Sequence, residues 1–326
     1  MTAKFKSLYA RHAGGRVDDG KLLQNLAFHR IGNAASSWAV SIKSCRLLAA
    51  CLMVFCLGSM GAVASQPIQD DETRQLWDVE FLQKRQKAKR AAPRRKKPAY
   101  KRVTPKTADS LKPGEGEILG LTLWRLRPST ARDDVRLLVQ RKEVTPERIE
   151  AETPLAKGDM VRLGIESPRS GYLYVIDREL YADGTMGAPH LIFPTQRLRG
   201  GNNEVTAGRL IELGPFELTP HREGYKGEVL TVLVTATPLA NLTVPEDMVA
   251  LETSMVEQWE KQWIARAERF ELVGGAGKTY TKAEKLAAED GERLLTQADD
   301  LPQTLYRVAA KKGEPLLVTV SLKISK

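Results

Sequence analysis

Cysteine is nearly missing from this chain of 326 residues: Cys45, Cys51 and Cys56 are the whole complement, and none lies beyond them. The region after residue 64 is therefore expected to hold no disulfide framework and no thiolate chemistry. Histidine is scarce too. His190 and His221 are the only two in that region and neither has a second ligand at useful spacing, so no metal site is assigned. No Gly-x-Ser-x-Gly elbow occurs, and a Ser170–His190 pairing is unconstrained by spacing. No catalytic residue and no cofactor site is assigned. Carboxylates are plentiful but scattered, which keeps a two-carboxylate hydrolase as the rival class.

Long apolar runs are also lacking. The run Leu47–Leu57 (LLAACLMVFCL) falls short of the roughly 20 residues that cross a bilayer. It follows Lys43 and Arg46 and precedes Ala62-Val63-Ala64, the layout of a signal peptide cleaved after Ala64. All three cysteines would leave with it, and the remainder is expected to be periplasmic or extracellular. Residues 1–42 are too long and polar for an ordinary n-region, so translation is expected to start near residue 40, at Val40.

The net charge of +10 is unevenly spread. Residues 84–106 carry twelve Lys and Arg with no acid among them, whereas the rest of the exported part is acidic. Basicity is thus a property of one segment. Within it Arg94, Arg95, Lys96, Lys97, Lys101 and Arg102 are the candidate contacts to anionic lipid or envelope polymer. Export removes nucleic acid as the expected partner.

Residues 65–115 are polar, carry Pro67, Pro93, Pro98, Pro105 and Pro113, and are read as a disordered linker. From Gly116 onward, short apolar runs alternate with Gly, Pro and Asn turns. This predicts strands at 118–126, 135–140, 160–166, 171–177, 190–193, 209–213, 229–237, 304–308 and 315–324. Two helices are predicted late in the chain. Thr243 and Glu246 have capping-box spacing ahead of a stripe running from Met248 through Trp259 and Trp263 to Phe270, and Thr281 with Glu284 opens a second stretch to Ala298. The expected fold is mainly β: a single β-sandwich-like domain at 116–326 with a late helical insertion at about 243–298, preceded by signal peptide and linker.

Gly274-Gly275-Ala276-Gly277-Lys278-Thr279 has the ending of a phosphate-binding loop, but position 272 is Leu and a helix is predicted before it. It is read instead as a flexible connection between the two helices. Asp177, Glu179 and Asp183 lack the closing glutamate of a calcium loop, and a hairpin turn at Asp183-Gly184 accounts for them better.

Gly171-Tyr172-Leu173-Tyr174-Val175-Ile176-Asp177, then Asp183-Gly184, then Leu191-Ile192-Phe193-Pro194, resembles the domain of unknown function 4384 family. The motif residues Gly171, Tyr172, Asp177, Asp183, Gly184, Phe193 and Pro194 carry the likeness. The resemblance implies a bacterial exported accessory module without established catalytic residues. In physical terms Gly184 supplies the turn, Asp177 is expected to end the first strand, and Pro194 to stop the second. The reading that follows is a noncatalytic binding module for an unknown protein or envelope polymer, with a structural stalk-borne domain as a third class.

Overall fold

The computed structural model describes residues 81–82, 85–87 and 99–325, except 108, 113, 241 and 290–293. The expected signal peptide and residues 94–97 of the basic run lie outside them. The strands are β1 (Tyr100–Arg102), β2 (Glu117–Pro128), β3 (Leu137–Val139), β4 (Lys142–Ile149), β5 (Met160–Glu166), β6 (Gly171–Tyr181), β7 (His190–Phe193), β8 (Glu204–Val205) and β9 (Leu210–Glu217). They continue with β10 (Tyr225–Thr235), β11 (Val249–Ala250), β12 (Ala267–Leu272), β13 (Thr304–Val308) and β14 (Leu316–Lys323). The helices are α1 (Thr253–Trp263) and α2 (Lys282–Glu289).

Two antiparallel sheets form a mainly β, sandwich-like fold. In the first, β2 is central: β5 and then β9 line one of its edges, while β13 and β4 share the other, leading out to β12 and β1 and to β3. The second has the order β11-β7-β6-β10-β14, with β8 on β6. Alternation decides which side chains meet between them. Leu121, Leu163 and Leu213 from the first sheet pack with Val175, Val232 and Val318 from the second in one core. β14 shows the pattern cleanly: Leu316, Val318, Val320 and Leu322 face this core, while Leu317 turns outward to a second cluster under α1. β10 is buried along nearly its whole length because the first sheet covers one face and α1 the other.

The helical insertion is smaller than expected. Residues 243–248 are not helical, α1 begins only at Thr253, and residues 267–272 form β12, paired between β1 and β13. The stripe misleads because Glu268 and Glu271 are buried in β12, which disguises its alternation as a polar interruption. The second start is as expected: the Thr281 N–H donates to Glu284 Oε2 at 2.8 Å and the Glu284 N–H to Thr281 Oγ1 at 3.1 Å. α2 is nonetheless shorter than the predicted stretch, since Leu294 and Thr296 make bridges rather than helix. The glycine-rich loop joins a strand to a helix and borders β4, where the Gly277 N–H donates to the Arg148 carbonyl at 2.8 Å.

The stretch read as linker also departs from expectation at its described positions. Phe81, Arg85 and Tyr100 are buried, and β1 is an edge strand of the first sheet. Arg85 and Arg102 are matched by Glu166 and Glu268 of the folded region, which a composition count cannot reveal.

Candidate functional site

The motif residues come together in and around one hairpin. Gly171 opens β6 where a side chain cannot fit, since a Cβ there would lie 2.1 Å from the Thr235 carbonyl oxygen. Asp183 and Gly184 close the hairpin: Gly184 has φ +80, and Asp183 Oδ1 accepts from the Thr185 N–H at 2.9 Å and the Thr185 hydroxyl at 2.6 Å. β7 stops at Phe193, ahead of Pro194. Tyr172 is half-buried on the outer face with the cluster under α1.

Asp177 does not end its strand. β6 runs on to Tyr181, and Asp177 sits inside it, 3% exposed, opposite Leu230 of β10 and His190 of β7. Register then gathers acids. Glu179 lies directly opposite Glu228, and period-two alternation puts Asp177, Glu179 and Glu228 on the core-facing side at one end of the sandwich. His221 joins them, its Nδ1 at 2.6 Å from Glu179 Oε1, and the Tyr181 hydroxyl donates to Glu179 Oε2. The Tyr225 hydroxyl donates to Glu228 Oε1 at 2.8 Å. Thus the two histidines singled out in the sequence fall beside this acid group, His190 opposite Asp177 in the sheet and His221 in contact with Glu179.

Among the described residues no arginine or lysine neutralises Asp177 or Glu228. Burial, and then the neighbouring Glu179 charge, push the Asp177 carboxyl up to about 7, and burial followed by the Asp177 charge raises Glu228 well above the usual carboxylate range. Asp177 Oδ1 accepts no hydrogen bond. Burial draws the His190 imidazole below its ordinary range. The Asp177 and Glu228 carboxyls are both pushed toward the protonated form. Among the described residues no group of three His, Cys, Asp or Glu is placed to bind a metal ion, and the exposed Asp183 is occupied by its turn.

A cleft of about 40 Å³ lies elsewhere, on the outer side of β2 and β5, bordered by Arg85, Trp124, Arg148, Glu166, Glu212 and Glu284. That volume holds about one water molecule. Its charges are engaged with one another: Arg85 with Glu166, Arg148 with Glu284, and Arg162 with Glu212 at 2.9 Å. Trp124 meets Tyr280 edge-on at 4.9 Å and carries the Arg148 guanidinium over its ring.

A third feature is aromatic. On α1, Val256 is fully buried against the second sheet, and Trp259 and Trp263 stack with ring centroids 6.1 Å apart while remaining half-buried. Ile264, just beyond, is 63% exposed. The helix is tied down through Thr231, whose hydroxyl donates to Glu260 at 3.1 Å, and through Arg178 at 3.6 Å from the same carboxylate.

Of the candidate basic contacts, Lys101 is exposed and pairs with Glu150, whereas Arg102 is buried against Glu268 and unavailable to a surface. Sequence reasoning missed Glu228, Tyr225 and Arg85. The first two sit in β10, and only strand register shows what they face. Comparison of the chain with protein-family models, with curated proteins and with solved structures finds no match. The likeness to the domain of unknown function 4384 family therefore rests on the motif residues alone.

Proposed function

We propose that this chain is a noncatalytic, exported binding module that holds a protein or polymer partner of the cell envelope through the outer face of its second sheet. The observation that carries the reading is the half-buried, stacked Trp259–Trp263 pair beside exposed Ile264 on a helix anchored by Val256. Tryptophan is enriched at binding hot spots because a rigid, large apolar surface gains much on contact and loses little entropy. The basic residues between Arg85 and β1 serve as a spacer or tether. The hydrolase alternative has convergent acids in its favour, but Asp177 and Glu228 are 3% and 2% exposed, out of reach of a polymer.

The test uses the full chain and its Trp259→Ala/Trp263→Ala variant on isolated envelope polymers and on membrane-protein fractions. Retention of the wild type, reduced about tenfold in the variant at unchanged melting temperature, is expected. Equal retention of both sinks the aromatic-face reading. Release of soluble fragments that stops with Asp177→Asn replaces it with the hydrolase. Export is checked separately by N-terminal sequencing of the mature protein, expected to begin at Ser65.

A further inference from the structure

The five N–H groups of the Arg85 guanidinium are all used, and every acceptor belongs to the region after residue 116. Nε donates to Glu166 Oε1 at 2.8 Å and Nη2 to Glu166 Oε2 at 2.6 Å, a bidentate pair. Nη2 also donates to the Asp300 carbonyl at 3.1 Å, and Nη1 to the carbonyls of Asp299 at 3.1 Å and Thr296 at 3.4 Å. These carbonyls lie on a loop that holds its own shape: the Thr296 N–H and hydroxyl donate to Asp299 Oδ2 at 2.7 and 2.8 Å. The seat is therefore built without Arg85 and matches a guanidinium fork rather than a point charge.

A second slot lies beside it. Phe81 is 3% exposed among Tyr100, Ile118, Phe270, Leu272 and Leu305. Its room comes from Gly120 of β2, where a Cβ would lie 3.1 Å from the Phe81 ring and 2.8 Å from Pro302. Just beyond the Arg85 seat the main chain is fixed at one residue. The Gln86 N–H donates to the Leu295 carbonyl at 3.1 Å, the Gln297 N–H donates to the Gln86 carbonyl at 2.9 Å, and Gln86 bridges Thr296 in parallel. Side-chain pockets at fixed spacing beside a main-chain anchor are a way in which domains recognise peptides.

The two side chains present one unit, since the Arg85 N–H donates to the Leu82 carbonyl at 3.1 Å and the guanidinium lies 5.4 Å from the centroid of the Phe81 ring. From this we infer that the groove between β2, β13 and residues 294–302 is a recognition site for a Phe-x-x-x-Arg peptide whose guanidinium packs on its own Phe ring, occupied in cis by the chain's own Phe81 and Arg85. The segment is a ligand joined to its receptor through residues 88–98. The same segment offered in trans competes for the seat. This site is separate from the tryptophan face, so either proposal can fail without the other.

The experiment uses the folded full chain with a protease recognition sequence inserted between Ala91 and Ala92, which severs the segment after folding. After cleavage the N-terminal fragment is expected to co-elute with the rest at micromolar concentration. An excess of a labelled peptide of residues 78–88 should displace it, and the same peptide carrying Arg85→Lys should be weaker by about tenfold or more. As a second measurement, the uncut Phe81→Ala/Arg85→Ala chain should bind the labelled peptide by fluorescence anisotropy at least about tenfold more tightly than the uncut wild type, whose own segment blocks the seat. Immediate loss of the severed fragment, or equal displacement by the Arg and Lys peptides, overturns the proposal. A gel-filtration shift to a dimer on adding peptide-free, cut protein to uncut variant also overturns it, since that interface would not be the groove.

Discussion

In the first sheet Glu268 is buried beneath three donors: Arg307 Nε at 2.8 Å, Arg102 Nη1 at 2.9 Å and the Leu111 N–H at 2.9 Å. In the second sheet Asp177 is as deeply buried and, among the described residues, meets no cation. Burial pushes both carboxyls toward the protonated form. For Glu268 the hydrogen bonds from Arg307, Leu111 and Arg102 outweigh it and hold the group below the usual range, whereas Asp177 is pushed up to about 7. Glu271 stands between them. It accepts from Thr304 and Gln303, with Arg269 3.8 Å away, and burial still pushes it up to about 7. Neutral donors do not replace the guanidinium at Glu271, and a single arginine does not always suffice: Glu212, with Arg162 2.9 Å away, is still raised by burial. What holds Glu268 low is therefore the combined set of two arginines and a main-chain N–H.

The largest effect should follow from making the first region resemble the second. Arg307→Met removes the fully buried guanidinium and leaves Glu268 with less compensation in a dry site. Breaking a buried pair from one side costs about 3–5 kcal/mol. Urea unfolding at pH 7 should show a loss of that size, and a loss under about 1 kcal/mol would mean that Arg102 alone suffices.

The converse change should stabilise. A carboxyl whose folded value lies above its unfolded value favours the folded state fully at low pH and loses that contribution as pH rises through the folded value. For Asp177 the window runs from about 4 to about 7, and the loss across it is on the order of 4 kcal/mol. Glu268 has the opposite sign: its contribution is present above the ordinary carboxylate range and falls away as acid protonates it. Asp177→Asn should therefore leave stability near pH 4 unchanged and raise it at pH 8. Melting temperatures measured across that range should lie on a flatter curve than the wild type's, and parallel curves would show that Asp177 is ionised throughout.

How far such contrasts can be read from sequence depends on whether the cause is local. The strands Met160–Glu166, His190–Phe193 and Thr304–Val308 were legible to the residue because apolar runs there are bounded by turn residues. β4 was not, since Pro146 reads as a strand breaker. Its missing N–H faces an edge where only its carbonyl is used, accepting the Tyr280 N–H at 2.9 Å. β12 was hidden by buried acids, and the segment containing Phe81 and Arg85 by the lysines and arginines around it. Arg85 finds Glu166, 81 positions on. Asp177 and His190 were noticed as residues, but the acid company they keep depends on the β6–β10 register, which no local pattern encodes.

A smaller effect separates the buried Glu228 carboxyl from its hydrogen-bond support. Tyr225→Phe deletes the hydroxyl that donates to Glu228 Oε1 at 2.8 Å and nothing else of the ring. A buried acceptor that loses its donor costs about 1–2 kcal/mol. Because that donor favours the ionised form of Glu228, its removal should push the carboxyl further up and steepen the loss of stability with rising pH. Carboxyl ¹³C chemical shifts of Glu228 followed by titration report this directly; an unchanged midpoint would place the control of Glu228 wholly in burial and Asp177.

The smallest effect is expected one residue from one of the largest. Lys101 Nζ lies 3.0 Å from Glu150, with both side chains more than a third exposed, whereas the adjacent Arg102 is 8% exposed against Glu268. Strand alternation alone turns one cation out to water and the other into the sheet. An exposed pair exchanges solvation for a weak attraction and loses side-chain freedom, so Lys101→Ala should change unfolding free energy by less than about 0.5 kcal/mol, and less still in high salt. Arg102→Ala in the same assay should lose about 2 kcal/mol or more, because it withdraws a charged hydrogen bond from a buried carboxylate. Equal effects at the two positions would break the comparison: proximity to an acid, and not burial of the pair, would then govern what a cation contributes here.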